Sequence, residues 1–426
     1  MGLIETNTKT VERAILVALI TDAVGRDKVE EHLEELEMLT TTAGAETVFK
    51  VVQDRFRIDP AYYIGRGKAE EIAQLVELNE INLVIFDDDL NPTQVRNLEK
   101  IINKKILDRS GLILDIFASH AKTKESKTQV ELAQLQYLLP RLTRAWTHLS
   151  KQYGGIGTKG PGETQIETDR RIIRTRISKL KEKLKQIEQQ HQTKSQSRHN
   201  YINATLVGYT NAGKSTLINL LTDAEVLAEN KLFATLDSTT RQYEIGRNKK
   251  MLISDTVGFI RKLPAHLVAS FKTTLNVVRD ADIILHVIDI SNDYFDEHIQ
   301  VVDQTLKELK CEKKPAVYIF NKVDMLKDKS RIEYIREKYP DSIMVSAVKG
   351  INISRLKAKL LNIYEEKFTV TRMEFDINQS KIIARIYELA EVLSAEYDED
   401  KVIIEYRTSS SNNQRIKKLI NSNKGE

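Results

Sequence analysis

A glycine-rich octapeptide in the second half of the chain has the composition and spacing of a phosphate-binding loop. Its residues are Gly208-Tyr209-Thr210-Asn211-Ala212-Gly213-Lys214-Ser215. An apolar run precedes the octapeptide and a helical pattern follows it, so the loop would place backbone N–H groups and a helix N-terminus around phosphate oxygens. Lys214 would then reach the β- and γ-phosphates, and the Ser215 hydroxyl would ligate Mg²⁺. A glycine-rich turn that binds nothing is the alternative.

A carboxylate motif follows a later predicted strand. Asp255-Thr256-Val257-Gly258 stands where an enzyme with a phosphate-binding loop has the carboxylate that organises Mg²⁺. Gly258 can bring its backbone N–H against the γ-phosphate, because it has no side chain to clash. Such a short motif carries little weight alone, and its place after the phosphate-binding loop is what gives it meaning.

A third motif favours guanine over adenine. In Asn321-Lys322-Val323-Asp324, the Asp324 carboxylate can accept hydrogen bonds from guanine N1–H and N2–H₂, a donor pair that adenine lacks. Lys322 would lie along the base, and Asn321 would brace the loop. A backbone N–H in Ser346-Ala347-Val348 could bind guanine O6. Motifs in this order, each closing a predicted strand, place their ligands at the carboxyl edge of one sheet and predict a GTPase.

The elements that would position these residues belong to two predicted α/β units with parallel sheets. The first covers residues 1–115, with strands at 13–20, 47–52 and 83–86. The second covers residues 201–365, with strands at 203–207, 250–254, 283–289, 316–320 and 342–346. A small α+β domain over residues 366–426 is predicted from strands at 369–376 and 402–406 and helices at 379–392 and 413–420.

The intervening residues 116–200 predict a helical hairpin. Apolar residues recur at spacings of three and four over residues 132–149 and 166–187, so the two arms should pack antiparallel. Pro140 could kink the first arm, and residues 189–200 predict a flexible joint. Five of the 17 glycines lie at residues 154–162, between the arms. Their bare backbone could approach a phosphate or a base, and a floppy turn is the alternative.

Charge is concentrated in this hairpin. Residues 120–198 contain 17 Lys and Arg against 7 Asp and Glu, whereas the whole chain has a net charge of only +4. A basic segment in an otherwise acidic protein is typical of nucleic-acid contact. A solvated helical face rich in lysine is the alternative explanation.

Composition places the chain among ordinary globular proteins. Its 426 residues are 41% hydrophobic and 30% charged, enough for about three domains. The single Cys311 excludes a disulfide framework, and the sequence has neither a signal-peptide core nor an apolar run long enough to span a membrane. We therefore expect a cytoplasmic protein. His120 and His148 lack partners at metal-ligand spacing, so we expect no zinc site.

Over essentially its whole length the chain resembles the HflX-type GTPases, which are related to translation factors. The resemblance is carried by the phosphate-binding loop, Phe233-Ala234-Thr235-Leu236-Asp237, Asp255-Thr256-Val257-Gly258-Phe259, and the glycine-rich segment leading into Glu163-Thr164-Gln165-Ile166-Glu167-Thr168-Asp169-Arg170-Arg171. It implies that residues 233–237 bind nucleotide and that Thr235 completes the Mg²⁺ coordination. The residues alone leave Thr239 and Thr240 open as well. Tyr153 departs from the glycine expected in this family and could add a stacking surface.

Hydrolysis is expected to need outside help. Ras-like enzymes have a water-orienting glutamine just after the D-x-x-G motif, and this chain has Phe259. Intrinsic turnover should therefore be slow, with the missing group supplied by a partner or an ion. Related GTPases with asparagine at the position of Asn211 use it to hold K⁺ beside the phosphates, which makes K⁺ a candidate cofactor. An asparagine that merely braces the loop is the alternative.

The resemblance also implies a partner. HflX-like proteins act on the large ribosomal subunit, so we expect a monomer that binds the 50S subunit or the 70S ribosome through rRNA and separates the subunits. The alternative is a nucleotide-gated rRNA-binding factor in large-subunit assembly or quality control. Membrane-associated regulation has no anchor in the sequence. Gly65-Arg66-Gly67-Lys68 could bind an anion, such as a second nucleotide, at a helix N-terminus, although such a sequence is more often a strand-to-helix turn.

Overall fold

A computed structural model describes residues 11–22, 24–142, 165–195, 201–222, 232–246, 249–262, 275–398 and 400–423. The predicted glycine-rich segment at residues 154–162, together with Tyr153, His148 and residues 163–164, lies outside this range. Among the described residues, no helix is long and apolar enough to cross a membrane.

The N-terminal domain is built on a parallel sheet in the order β2-β1-β3-β4. Its strands are β1 (Glu12–Ile20), β2 (Ala45–Asp54), β3 (Leu83–Phe86) and β4 (Lys105–Asp108). Its helices are α1 (Arg26–Thr42), α2 (Arg66–Leu78), α3 (Pro92–Ile102) and α4 (Arg109–His120). β1 is buried from Ala14 onward because both faces of the sheet are covered, which explains its unbroken apolar run. The predicted parallel α/β fold is confirmed, with β4 as an additional strand.

Two long helices form the hairpin, α5 (Lys124–Arg141) and α6 (Gln165–Ser195). Arg176 pairs with Glu131 at 2.6 Å, and Arg170 bonds the Leu142 carbonyl at 2.8 Å, so the arms run antiparallel. Their seam is an apolar cluster of Leu132, Leu135, Leu139, Ile173, Ile177, Leu180, Leu184 and Ile187.

One prediction about the hairpin needs correction, and one lies at the limit of the described residues. Pro140 is one residue before Arg141, the last residue of α5, and the part of the arm predicted beyond residue 142 lies outside the described residues. The flexible joint predicted over residues 189–200 is wrong as far as Ser195, because α6 extends to that residue. Glutamine and lysine are good helix formers, and low apolar content alone does not end a helix.

The GTPase domain has a sheet in the order β10-β9-β8-β5-β7-β6. Its strands are β5 (Ile202–Gly208), β6 (Thr239–Gly246), β7 (Lys249–Asp255), β8 (Ile283–Asp289), β9 (Ala316–Asn321) and β10 (Ile343–Met344). Its helices are α7 (Lys214–Thr222), α8 (Asn276–Asp280), α9 (Phe295–Glu308), α10 (Ser330–Lys338) and α11 (Ile353–Lys367). β6 is antiparallel to β7 and the other pairs are parallel, so the predicted motifs all fall at one sheet edge.

The C-terminal domain is an antiparallel sheet in the order β11-β13-β12 with two helices. Its elements are β11 (Phe368–Asp376), α12 (Ser380–Leu389), β12 (Glu391–Asp398), β13 (Lys401–Ser409) and α13 (Ser410–Asn423). The helix predicted over residues 379–392 is too long, because the backbone turns extended at Ala390 and continues as β12.

The N-terminal and GTPase domains share an apolar core. Leu36 and Phe117 of the N-terminal domain belong to the same buried cluster as Phe233, Leu236 and Ile260 of the GTPase domain. The rings of Phe117 and Phe233 meet edge to face with centroids 4.7 Å apart. The N-terminal domain therefore packs on the loops at the carboxyl edge of the GTPase sheet.

Candidate nucleotide-binding site

The phosphate-binding loop takes a shape that requires glycine at two positions. Gly208 has φ +156°, and a Cβ there would lie 2.1 Å from the Val287 carbonyl oxygen. Gly213 has φ +92°, and a Cβ there would lie 2.2 Å from the Asn321 Nδ2 atom. Both contacts are far too short for any side chain, so the tight curl between β5 and α7 depends on these two glycines.

Lys214 lies inside the curl at the start of α7. Its Nζ donates to the carbonyl oxygens of Gly208 at 3.1 Å and Tyr209 at 2.8 Å. Burial lowers the pKa of the Lys214 ammonium to about 8, although the nearby Asp255 carboxylate opposes this shift. The loop's own carbonyls hold the ammonium where phosphate oxygens would replace them as partners.

Three oxygen-bearing side chains from separate elements converge beside Lys214. The Ser215 Oγ lies 2.7 Å from the Asp255 Oδ2 and 3.0 Å from the Thr235 Oγ1, and Thr235 is 3.3 Å from the same carboxylate oxygen. Burial raises the pKa of Asp255, opposed by Lys214 and by the Ser215 hydrogen bond. Hydroxyl and carboxylate oxygens are the donors Mg²⁺ prefers, so Ser215 and Thr235 fit as ligands with Asp255 beside them.

The structure distinguishes Thr235 from the other two threonines that the sequence left open. Thr239 and Thr240 lie in β6, and the Thr240 hydroxyl bonds Ser254 at 2.8 Å instead of facing the oxygen cluster. Thr235 is therefore the threonine of this segment that meets Ser215.

A cavity lies over the loop. Its lining residues are Thr210, Asn211, Gly213, Lys214, Ser215, Thr216, Phe233, Ala234, Thr235, Thr256 and Gly258. Thr216 was absent from the predicted set, although its place after Ser215 at a helix start could have indicated it. At Gly258 a Cβ would lie 2.8 Å from the Thr210 Cα and 3.1 Å from the Lys214 Nζ, so only glycine keeps this wall open.

The predicted guanine-binding residues stand beside this cavity at the ends of β9 and β10. Asn321 links the two loops, because its amide donates to the Ala212 carbonyl at 2.9 Å and accepts from the Ala347 N–H at 3.0 Å. Lys322 has φ +65° and its ammonium lies 2.7 Å from the Asp289 carboxylate.

The rest of this motif differs in exposure. Asp324 is exposed in a short 3₁₀ turn (Val323–Met325), Val323 packs against the core beneath the turn, and Val348 is exposed. Ser346 is buried and accepts a hydrogen bond from the Lys349 N–H at 3.1 Å.

Three predicted nucleotide-binding residues direct their side chains away from the cavity. The Tyr209 hydroxyl donates to Glu35 in α1 at 2.5 Å. Leu236 is buried in the core shared with the N-terminal domain. The Asp237 carboxylate contacts Thr123, immediately before α5. Val257 is partly buried against that same core.

Phe259 and Asn211 occupy the positions expected to govern hydrolysis. The Phe259 side chain is buried with Val207 and Val278, and its backbone N–H bonds the Gly208 carbonyl at 3.0 Å. It therefore offers no polar group to the cavity. Asn211 lines the cavity with φ +61°, at the entrance to the loop.

The other sequence candidate lies at the start of α2. The Gly65 N–H donates to Gln53 at 2.9 Å, and Arg66 and Lys68 pair with Glu70 and Glu71. Within the described part of the chain, no group of His, Cys, Asp and Glu could hold a metal ion by itself.

Comparisons with known proteins agree with this geometry. Family models match residues 30–118 (GTP-binding GTPase N-terminal), 120–198 (GTP-binding GTPase Middle Region) and 203–322 (50S ribosome-binding GTPase). A GTPase HflX of Flavobacterium psychrophilum is 52% identical over 325 residues, 76% of this chain and 78% of the relative. The Escherichia coli GTPase HflX is 42% identical over 392 residues, 91% of each chain. A crystal structure of SsGBP with GDP has a TM-score of 0.49 at 26% identity, covering 84% of this chain and 99% of that one.

A phosphate-binding loop, a cluster of hydroxyl and carboxylate oxygens beside it and an N-K-x-D loop at one sheet edge define a P-loop GTPase, an enzyme that binds and hydrolyses GTP. The identities above extend this class to nearly the whole chain. The protein belongs to the HflX family of GTPases.

Proposed function

We propose that the GTP-bound protein binds the 50S ribosomal subunit or the 70S ribosome through rRNA, separates the subunits, and leaves after hydrolysis. The observation that carries this proposal is a set of exposed lysines on α6, Lys179, Lys181, Lys183 and Lys185, which lie on both sides of an apolar seam that α5 already covers. Such a set of positive charges suits RNA phosphates. The ribosome-binding description of the matched GTPase model supports the same partner.

We assign the site residues as follows. Lys214 and the loop N–H groups bind the β- and γ-phosphates, Ser215 and Thr235 ligate Mg²⁺, and Asp324 selects guanine. Mg²⁺ would neutralise phosphate charge during the transfer to water. Gly258 brings its N–H to the γ-phosphate from the opposite wall.

Hydrolysis would depend on a group that the chain lacks at position 259. We propose that the ribosome stimulates turnover and that K⁺, held through Asn211, contributes positive charge beside the phosphates. Comparing turnover in potassium and sodium buffers tests the second part, and equal rates would remove K⁺ from the proposal. The same comparison with Asn211→Ala should abolish any potassium preference.

Sedimentation of 70S ribosomes with the full chain and a non-hydrolysable GTP analogue tests subunit separation. We expect 50S and 30S peaks to replace the 70S peak, and an intact 70S peak at saturating protein would refute separation. Lys181→Glu with Lys183→Glu should weaken ribosome binding, because each change replaces a phosphate-binding charge by a repelling one. Arg355→Glu with Lys357→Glu, on the exposed face of α11, is the matched charge control.

Binding to the 50S subunit without separation would favour the alternative, an rRNA-binding factor in large-subunit assembly or quality control. We further propose that the protein acts as a monomer in the cytoplasm, and sedimentation of the protein alone tests the oligomeric state.

A further inference from the structure

A carboxylate from the GTPase domain accepts hydrogen bonds from the residues just before α5, the first helix of the hairpin. The Asp237 carboxylate accepts hydrogen bonds from the Thr123 hydroxyl at 2.7 Å, the Lys122 N–H at 3.1 Å and the Thr123 N–H at 3.2 Å. Thr123 is the N-cap of α5, and its hydroxyl also accepts from the Ser126 N–H at 3.1 Å. The three contacts join residues that are 114 or 115 positions apart in the chain.

The start of α5 favours a negatively charged hydrogen-bond partner. The first turn of a helix has N–H groups without intrahelical acceptors and carries a positive partial charge, so a carboxylate there is stabilising. Asp237 places a carboxylate beside this end of α5 from another domain. Its three charge-assisted bonds hold the N-cap residue Thr123 and the preceding Lys122 against the GTPase domain.

The same short segment carries a side chain of the nucleotide site. Thr235 meets Ser215 and Asp255, while Leu236 enters the core shared with the N-terminal domain and Asp237 meets α5. The backbone from residue 235 to residue 237 spans only two peptide units. Because two peptide units reach only about 7 Å, a displacement of Thr235 by several ångströms must either be absorbed by rotation at residues 235 and 236 or be passed on to Asp237.

We propose that Asp237 and Thr123 form a nucleotide-dependent interdomain cap. With GTP, the γ-phosphate and Mg²⁺ keep Thr235 beside Ser215, and the cap stays closed. After hydrolysis residues 232–237 relax, the cap opens, and the start of α5 is released from the GTPase domain. Asp237 and Thr123 act as positioning residues, and the inference rests on the proposed function in taking the hairpin as the part that contacts the ribosome.

Thermodynamic linkage makes the cap measurable without ribosomes. If cap closure and GTP binding favour the same conformation, opening the cap must weaken GTP binding by the factor that couples them, whereas GDP binding stays unchanged. For Asp237→Ala we expect the dissociation constant of a non-hydrolysable GTP analogue to rise about 5- to 20-fold, within the usual range of allosteric coupling. The GDP constant should stay within about twofold, which also shows that the variant is folded.

Two further variants distinguish loss of the cap from general destabilisation of the fold. Thr123→Val removes the hydroxyl and should weaken analogue binding as Asp237→Ala does, with little added effect in the double variant. Thr123→Ser keeps the hydroxyl and should behave as the wild type. Glu365→Gln, an exposed carboxylate of the same domain paired with Lys249, is the matched control. A merely structural role would shift GDP and analogue affinities alike.

Hydrogen exchange tests the conformational step directly. Amides at residues 124–128 should exchange about 5- to 20-fold more slowly with the analogue than with GDP in the wild type, and equally in Asp237→Ala. Nucleotide-independent exchange in the wild type, or an unchanged analogue-to-GDP affinity ratio in Asp237→Ala, would overturn the cap. Both assays omit ribosomes, so failure of the cap is distinguishable from failure of ribosome binding or subunit separation.

Discussion

Arg109→Met would remove the central cation of a buried ionic cluster between the two α/β domains. The Arg109 side chain is 1% exposed and pairs with Glu35 and, at 3.0 Å, with Asp87. Arg261, just beyond the D-x-x-G motif, lies 2.8 Å from each of the same two carboxylates. Lys262 contacts Asp87 at 3.1 Å. Lys262 also pairs with Asp88, so without Arg109 the three carboxylates of Glu35, Asp87 and Asp88 face two cations, and a largely buried site keeps one excess negative charge.

The expected loss of folding stability depends on the ion pairs that remain without Arg109. Removing one partner of a buried ion pair costs about 3–5 kcal/mol, because the other charge stays buried. Arg261 continues to contact both carboxylates, so we expect the lower end of this range, about 3 kcal/mol. Combining Arg109→Met with Glu35→Gln restores the charge balance and should lose only about half as much, although it changes two buried residues. Arg66→Met breaks the exposed Arg66–Glu70 pair and should cost under about 0.5 kcal/mol.

Native-state hydrogen exchange at the slowest amides of β1 and β3 gives the opening free energy of the N-terminal domain in the full chain. A loss under about 1 kcal/mol in Arg109→Met would show that the cluster relaxes or admits water, which contradicts the estimate. A double variant less stable than Arg109→Met alone would likewise refute charge imbalance as the cause.

Three further outcomes are expected. Burial would raise the pKa of Asp87, but Arg109, Arg261 and Lys262 outweigh it and hold that pKa at about 2, below its ordinary value of 3.8. Asp87 therefore contributes about 2 kcal/mol of folding stability above pH 4, and this contribution is lost as the pH falls toward 2. Acid unfolding of Arg109→Met should therefore begin at a higher pH than that of the wild type. Gly213→Ala should lower GTP and GDP affinity at least about 10-fold in equilibrium binding, because φ is +92° and Asn321 blocks a Cβ, whereas Gly25→Ala, with open space around it, should not. Asp324→Asn should lower GTP affinity about 100-fold and favour xanthosine triphosphate, because the amide can donate to the xanthine 2-oxo group, and unchanged nucleotide preference would contradict Asp324 as the guanine acceptor.

Sequence patterns predicted the strands, loops and helices that are specified mainly by residues near one another in the chain. The apolar run before Gly208, the glycine spacing and the helix start near Lys214 indicated a strand, a loop and a helix. β5 extends one residue beyond each end of the predicted strand, and α7 begins at Lys214. β4, β6 and β12 were not predicted, because an edge strand depends on the neighbour it pairs with. β12 shows this most clearly. The helical pattern was read as far as residue 392, but the chain pairs with β13 from Glu391 onward.

The sequence predicted the parts of the site that depend on local spacing, but not the parts that depend on contacts between residues distant in the chain. Spacing placed Ser215 and Asp255 together, but the choice of Thr235 over Thr239 and Thr240 depended on family resemblance. Nothing in the local sequence indicated that Tyr209 faces Glu35, 174 positions away. Tyrosine in the phosphate-binding loop is compatible with nucleotide contact and with domain contact alike, and only the packing of α1 distinguishes them.

The contacts made by the N-terminal domain and the start of α5 extend to three segments beside the phosphate end of the candidate site. Tyr209 of the phosphate-binding loop bonds Glu35, Asp237 of the segment after Thr235 bonds the start of α5, and Arg261 beyond the D-x-x-G motif bonds Asp87. A rigid-body displacement of that unit would therefore strain all three segments together. Linkage is reciprocal, so any partner that moves the N-terminal domain or the hairpin must change nucleotide affinity by the factor with which nucleotide changes its binding. The ionic cluster holds the segment beyond the D-x-x-G motif, and the proposed cap at Asp237 holds the segment that follows Thr235, so the two contacts connect this unit to different segments of the site.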